Sequence, residues 1–244
     1  MNVVILDARS AEAYAAGHRP GAIHADLETQ LSSASTNDDP AHGGRHPLPP
    51  LEQWLAQVNA WGITPDTHVI VYDDQQGANA AARAWWMLRA IGHEDVEVSN
   101  VGRASARPHH GGLKPALRWQ LPTVSMHEVD TLRHDPAWRV LDVRAAARFR
   151  GETEPIDPVA GHIPGAINLP YTENLGKSPE ELRAMYEQLL GDIPPERVVV
   201  HCGSGVTACQ TLLALDLAGL HGASLYVGSW GEWCRNGMPI GRSA

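Results

Sequence analysis

The chain has 244 residues, a formal charge of −9 and three cysteines. Its length predicts two domains of about 120 residues, each large enough to bury a core without metals or disulfides. The negative charge excludes a basic nucleic-acid or anionic-membrane surface, and no apolar run approaches membrane-spanning length. An odd cysteine count with no framework spacing fits a reducing cytoplasm.

The first apolar run ends on Leu6-Asp7-Ala8-Arg9 and reads as a strand. A turn follows at Gly17-His18-Arg19-Pro20-Gly21-Ala22-Ile23, where glycine and proline set backbone angles that other residues resist. Leu51 to Ala60 is an amphipathic helix, Val69-Ile70-Val71-Tyr72 a buried strand opening on Asp73-Asp74, and Arg83 to Ile91 a second helix. Asn100 to Leu117 then loses all periodicity, and no apolar run after Asp95 matches the later Ser224 to Val227. The stop is abrupt, as a local reading-frame change or a degenerated segment would leave it. The boundary between the halves is expected between Pro108 and Pro122.

The second half repeats the first in the same order. Leu141-Asp142-Val143-Arg144 matches Leu6 to Arg9, Gly161-His162-Ile163-Pro164-Gly165-Ala166-Ile167 matches the turn, and Val198-Val199-Val200-His201-Cys202-Gly203 matches Val69 to Asp74. Helices are expected over Pro179 to Leu190 and Ala208 to Leu217. Val124 to Trp138, ahead of Asp142, is an extra strand edge and helix with no partner in the first half. Strands alternating with helices predict an α/β fold with mainly parallel sheets. The expected domains are 1–119 and 123–244, with Asp73 in the first standing where Cys202 stands in the second.

Cys202 ends a buried strand and precedes a tight loop and a helix. Orphan N–H groups and the helix dipole at such a place favour an anion, so the thiol is a candidate nucleophile. Gly203 and Gly205 let the backbone curl around it. Cys209 is read as a core thiol, Cys234 as structural or surface, Arg150 as solvated and His201 as a packed strand-end residue; the tryptophans are core or interface aromatics. No histidine or carboxylate spacing supports a metal. A His-Cys pair opening an anion loop also begins protein tyrosine phosphatases, but those need an arginine where this chain has Ala208.

Together the tandem repeat and the Cys202-Gly203-Ser204-Gly205-Val206-Thr207-Ala208 loop resemble the two-domain rhodaneses, nearest the 3-mercaptopyruvate type. Arg148-Phe149-Arg150-Gly151-Glu152 and Gly228-Ser229-Trp230-Gly231-Glu232-Trp233 add to the resemblance. It implies two tandem rhodanese-like domains, each a mainly parallel sheet flanked by helices, with a non-catalytic first copy. It further implies a sulfurtransferase in which Cys202 becomes a persulfide and passes sulfur to a thiol, such as thioredoxin, or to cyanide, without cofactor or metal. The backbone from Gly203 through Gly205, Val206 and Thr207 would cradle the charged sulfur.

The thiosulfate type has an Arg-Lys pair where this chain has Gly203-Ser204, so mercaptopyruvate is the expected donor, with Arg148 on its carboxylate. Ile156 stands where the resemblance implies a second arginine, which leaves Arg148 alone and thiosulfate as the alternative donor. The same resemblance implies a Ser-His-acid arrangement, assigned to Ser204 and His18 with Asp7 the closest candidate for the acid; turn bracing is the competing role for Asp7 and for His18, which has a repeat counterpart in His162. A non-catalytic rhodanese-like binding module is the remaining alternative.

Overall fold

Nine strands and eight α-helices alternate in the computed structural model, which describes residues 2–99 and 118–242. In the first half, β1 (Asn2–Asp7), α1 (Ala11–Ala16), β2 (Ile23–His24), α2 (Leu51–Ala60), β3 (Thr67–Tyr72), α3 (Ala80–Arg89) and β4 (Val96–Val98) follow one another. The second half has β5 (Thr123–Val124), α4 (Met126–Leu132), β6 (Arg139–Asp142), α5 (Ala146–Arg150), β7 (Ile167–Asn168), α6 (Pro179–Leu190), β8 (Val198–His201), α7 (Ala208–Leu217), β9 (Ser224–Tyr226) and α8 (Ser229–Trp233). Both sheets are parallel throughout, in the orders β2-β1-β3-β4 and β5-β9-β8-β6-β7.

The repeat in sequence is a repeat in register. Asp7 pairs with Tyr72 across β1 and β3, and Asp142 with His201 across β6 and β8. Asp7 and Asp142 each hold the arginine two residues on, and that arginine, Arg9 or Arg144, donates to the carbonyl of Gly17 or Gly161 at 2.7 Å. The Asp-x-Arg motif is therefore a brace for the following turn.

One expectation about the first half is amended. The run after Asp95 does form a strand: β4 adds to β3 as β9 adds to β8, with Val96 and Val98 buried. The extra element of the second half is β5 with α4, and its counterpart is absent from the described residues of the first sheet. The irregular stretch Asn100 to Leu117 and most of the expected boundary lie outside the described residues.

The halves meet along α3 and α7, which pack against each other. From Ala80 to Leu88 every residue of α3 is buried, and so is α7 from Ala208 to Leu215. Arg83 on α3 and Gln210 and Thr211 on α7 are buried along with the apolar residues around them. Alanines at 80, 81, 82 and 84 let neighbouring backbones approach, while Trp85, Trp86, Met87 and Leu88 fill the space beyond. Strand ends β3 and β8, from which the Asp73 and Cys202 loops spring, are consequently carried on one continuous core.

Candidate active site

Cys202 follows β8, and its loop is pinned on the outside by α8. The Cys202 N–H donates to Ser229 Oγ at 3.1 Å, while the carbonyls of Cys202 and Gly203 accept from the N–H groups of Trp230 and Gly231 at 3.0 and 2.9 Å. At Gly205 φ is +73°, and a Cβ there would collide with the Val227 carbonyl, so glycine is required on both counts. On the inner side the Ser204 N–H lies 3.5 Å from Cys202 Sγ. Among the described residues, the N–H groups of Gly203, Gly205, Val206 and Thr207 meet no protein acceptor.

The first-half loop carries an anion of its own. Asp73 accepts the N–H groups of Gln75 (2.8 Å), Gly77 (2.7 Å), Asn79 (3.0 Å) and Ala81 (3.1 Å). Gln76, at the position of Gly205, shares its left-handed conformation with φ of +56°. Both loops are backbone nests for negative charge. One is filled by a carboxylate, and the other presents a thiol.

Ser204 is reached from the other half. Its Oγ is 2.8 Å from His46 Nδ1, and His46 Nε2 is 3.0 Å from Glu28 Oε1. Burial holds the His46 imidazole below its ordinary pKa, with Arg45 and Arg83 adding to the effect against the pull of Glu28. A neutral ring facing a carboxylate donates through Nε2–H, leaving Nδ1 to accept the Ser204 hydroxyl proton. Such a chain can take up and return a proton beside the thiol.

His18 is not part of this chain. Its Nδ1 bonds the Tyr14 carbonyl at 3.1 Å and its ring stacks on Tyr14, as His162 bonds Phe149 at 2.7 Å and stacks on it. Both histidines close the turn after a short helix, which is why the repeat preserves them. Asp7 is equally occupied, by Arg9 and by the Tyr72 hydroxyl at 2.6 Å. The expectation of His18 and Asp7 is corrected to His46 and Glu28. His46 lies in the strap 25–50 between β2 and α2, outside the segments that the halves repeat in sequence.

That strap is tied across the interface: the Gly43 N–H donates to Glu232 Oε1 at 2.9 Å, and Asn236 Nδ2 to the Ala41 carbonyl at 2.8 Å. It also delivers Arg45. Asp157, fully buried, accepts from Arg45 Nε at 3.1 Å, Arg235 Nη1 at 2.7 Å and Arg148 Nη2 at 3.4 Å, and Arg148 is held further by Glu154 at 2.6 Å. A Cβ on Gly203 would lie 2.9 Å from Arg45 Nη2 and 3.4 Å from Arg148 Nη2. Ile156, by contrast, is 54% exposed. Arg148 is therefore not alone beside the loop, as Ile156 had implied: a second guanidinium arrives from the first half. Both Nη groups of Arg45 are free of protein acceptors among the described residues.

The other two thiols stand apart. Burial pushes Cys209 up to about 12, and its Sγ donates to the Gly205 carbonyl at 3.3 Å. Cys234 is likewise pushed up by burial. No group of residues able to hold a metal occurs among the described residues, and among them no helix is long and apolar enough to cross a membrane.

Comparison with known proteins agrees with this geometry. A model of the rhodanese-like domain matches residues 1–104 and again 125–236. A Pseudomonas aeruginosa protein named as a probable 3-mercaptopyruvate sulfurtransferase is 40% identical, over 95% of this chain and 89% of the relative. A Mycobacterium tuberculosis protein provisionally named as a thiosulfate sulfurtransferase is 39% identical over 94% of this chain and 85% of its own. Among solved structures, SseA from Escherichia coli, described as a 3-mercaptopyruvate sulfotransferase with the rhodanese fold, superposes with a TM-score of 0.71 at 33% identity, covering 93% of this chain and 92% of the other.

Proposed function

The chain belongs to the rhodanese-like family, and on that premise we propose that it is a sulfurtransferase carrying sulfur from 3-mercaptopyruvate to a thiol or cyanide through a persulfide on Cys202. The observation that carries the choice of donor is the Glu28–His46–Ser204 chain beside the thiol. Thiosulfate has no keto oxygen for the Ser204 hydroxyl to serve. The linked Arg and carboxylate network also suits a single negative charge. Arg45, Arg144, Arg148 and Arg235 face Asp142, Glu154 and Asp157, leaving one positive charge over.

In this reading the donor carboxylate lies between Arg45 and Arg148, and its sulfur against Cys202 Sγ. The Cys202 thiolate attacks that sulfur, an S–S bond forms, and the donor's C–S bond breaks with its electron pair left on the methylene as a pyruvate enolate. The Ser204 hydroxyl holds the enolate oxygen. The proton of the transferred sulfur passes by way of Ser204 and His46 to the methylene carbon, giving pyruvate and the anionic Cys202 persulfide. An acceptor thiol then attacks the outer sulfur, the S–S bond breaks, and Cys202 leaves as thiolate. The N–H groups of Gly203, Gly205, Val206 and Thr207 cradle the negative sulfur at each stage.

Catalysis is thus assigned to a domain at 123–244, and the domain at 1–119, whose own loop is closed by Asp73, supplies Glu28, Arg45 and His46. Reduced thioredoxin is a fitting acceptor, and three free cysteines fit a cytoplasmic location. Steady-state assays on mercaptopyruvate and thiosulfate test the reading. A strong preference for mercaptopyruvate, abolished in Cys202→Ser, is expected. A preference for thiosulfate overturns the donor, and turnover surviving in Cys202→Ser overturns the mechanism.

A further inference from the structure

Arg83 lies in the middle of α3 with no exposed surface, a cation sealed between the domains. Its guanidinium donates to three carbonyls: Leu31 from Nε at 3.3 Å, Gly205 from Nη1 at 3.2 Å and His46 from Nη2 at 3.1 Å. Among the described residues it forms no ion pair with a carboxylate. Burial of an unpaired charge is costly, and carbonyl dipoles offset only part of that cost. The acceptors point to the compensation. Two of the three belong to the Cys202 loop and to the residue that contacts Ser204.

The Gly205 carbonyl is drawn toward α3 by Arg83 and also accepts from Cys209 Sγ. In a planar trans peptide the carbonyl and the following N–H point in opposite directions. Holding the Gly205 oxygen on Arg83 therefore turns the Val206 N–H away from α3. The first-half loop indicates where such a group is aimed, since Gly77, four residues past Asp73 as Val206 is past Cys202, donates to the Asp73 carboxylate at 2.7 Å. Burial pushes the Arg83 pKa down, and negative charge on the Cys209 sulfur and, to a lesser extent, on the Cys202 sulfur opposes that. Burial pushes Cys209 up to about 12, so it keeps its proton at neutral pH, and the sulfur that becomes anionic in the proposed reaction is that of Cys202.

We propose that Arg83 is a positioning residue and buried counter-charge for the anionic sulfur at Cys202, reaching from the non-catalytic domain to aim the Val206 N–H and seat His46. The proposal rests on the reading of Cys202 as the nucleophile, and its test separates the two. Iodoacetamide alkylation of Cys202, located by peptide mapping at pH 7, needs no sulfur donor. It is compared in the wild type, Arg83→Lys and Arg83→Gln, of which the first keeps charge and donors and the second keeps donors alone; circular dichroism identifies any variant that has not folded. A roughly tenfold slower alkylation in Arg83→Gln, with Arg83→Lys within about threefold of wild type, is expected for loss of one nearby charge. The kcat on mercaptopyruvate should fall in parallel while KM stays within about twofold, because Arg83 does not touch the donor. Equal rates in all three proteins, or equal slowing in both folded variants, overturn the proposal. If Arg83→Gln does not fold, an Arg83→Lys protein with slow alkylation overturns it and one with near wild-type alkylation supports it. Failure of the wild type to form a persulfide would overturn the sulfurtransferase reading instead, with the alkylation comparison still deciding the role of Arg83.

Discussion

Ser204 Oγ lies 2.8 Å from His46 Nδ1, a contact between residues 158 positions apart in the chain and in different domains. The hydroxyl beside the thiol therefore depends on the domain that carries no thiol loop of its own. The orientation of Ser204 is set by how the two domains dock.

Replacing His46 by asparagine should lower kcat on mercaptopyruvate by about 10²–10⁴, the usual range for a positioned acid–base group. With thiosulfate, which requires no proton at carbon, the loss should stay under about tenfold. Parallel steady-state kinetics on the two donors give the answer. Equal losses would mean that His46 acts on the loop's structure alone.

Removing either guanidinium should weaken the grip on the donor carboxylate. Arg45→Met and Arg148→Met are each expected to raise KM for mercaptopyruvate about tenfold or more, since a hydrogen bond to a charged group is worth roughly 1.5–3 kcal/mol. Mercaptoacetone, which keeps the keto and thiol groups but lacks the carboxylate, should be turned over by wild type and Arg45→Met with similar KM. A KM increase on both donors would show that Arg45 does not bind the carboxylate.

Acid should destabilise the protein earlier than its carboxylates alone would. His46, His93 and His201 all have pKa values depressed chiefly by burial, from an ordinary value of 6.5. The unfolded chain therefore binds protons that the folded chain refuses once the pH drops below about 6.5. Stability from these groups is complete above that pH and falls as the pH drops toward their folded values. Thermal unfolding between pH 8 and pH 5 should show a flat Tm followed by a decline below about pH 6.5. In Glu28→Gln the raising partner of His46 is lost, so its pKa moves lower still and the acid limb of mercaptopyruvate turnover should shift to lower pH.

Gly205→Ala should abolish turnover without unfolding the protein. It forces alanine to φ +73° and drives its Cβ into the Val227 carbonyl, a local cost of about 1–3 kcal/mol relieved by distorting the cradle. Gln76→Gly, at the matching place in the first loop, should instead leave turnover unchanged and Tm equal or slightly higher, because it relieves a left-handed side chain. Opposite outcomes for the pair would contradict the assignment of separate roles to the two loops.

The sequence by itself determined the α/β repeat, the order of its strands and helices, and the one thiol placed at a strand-to-helix turn, because hydrophobic periodicity and glycine placement are local properties of the chain. Cys202, Gly203 and Gly205 were legible for that reason, and Asp73 was legible as the closed copy of the same position. Docking of the domains decided the rest. His46, Glu28 and Arg45 lie in a strap without periodicity or repeat counterpart, and Arg83 lies on a helix whose pattern reads only as core. His46, Arg45 and Arg83 each acquire a role through a partner more than a hundred residues away, Glu28 follows through His46, and the docking of the two halves brings those partners together. His18 shows the converse: its motif was visible because it recurs, and it recurs because both domains need the same turn brace.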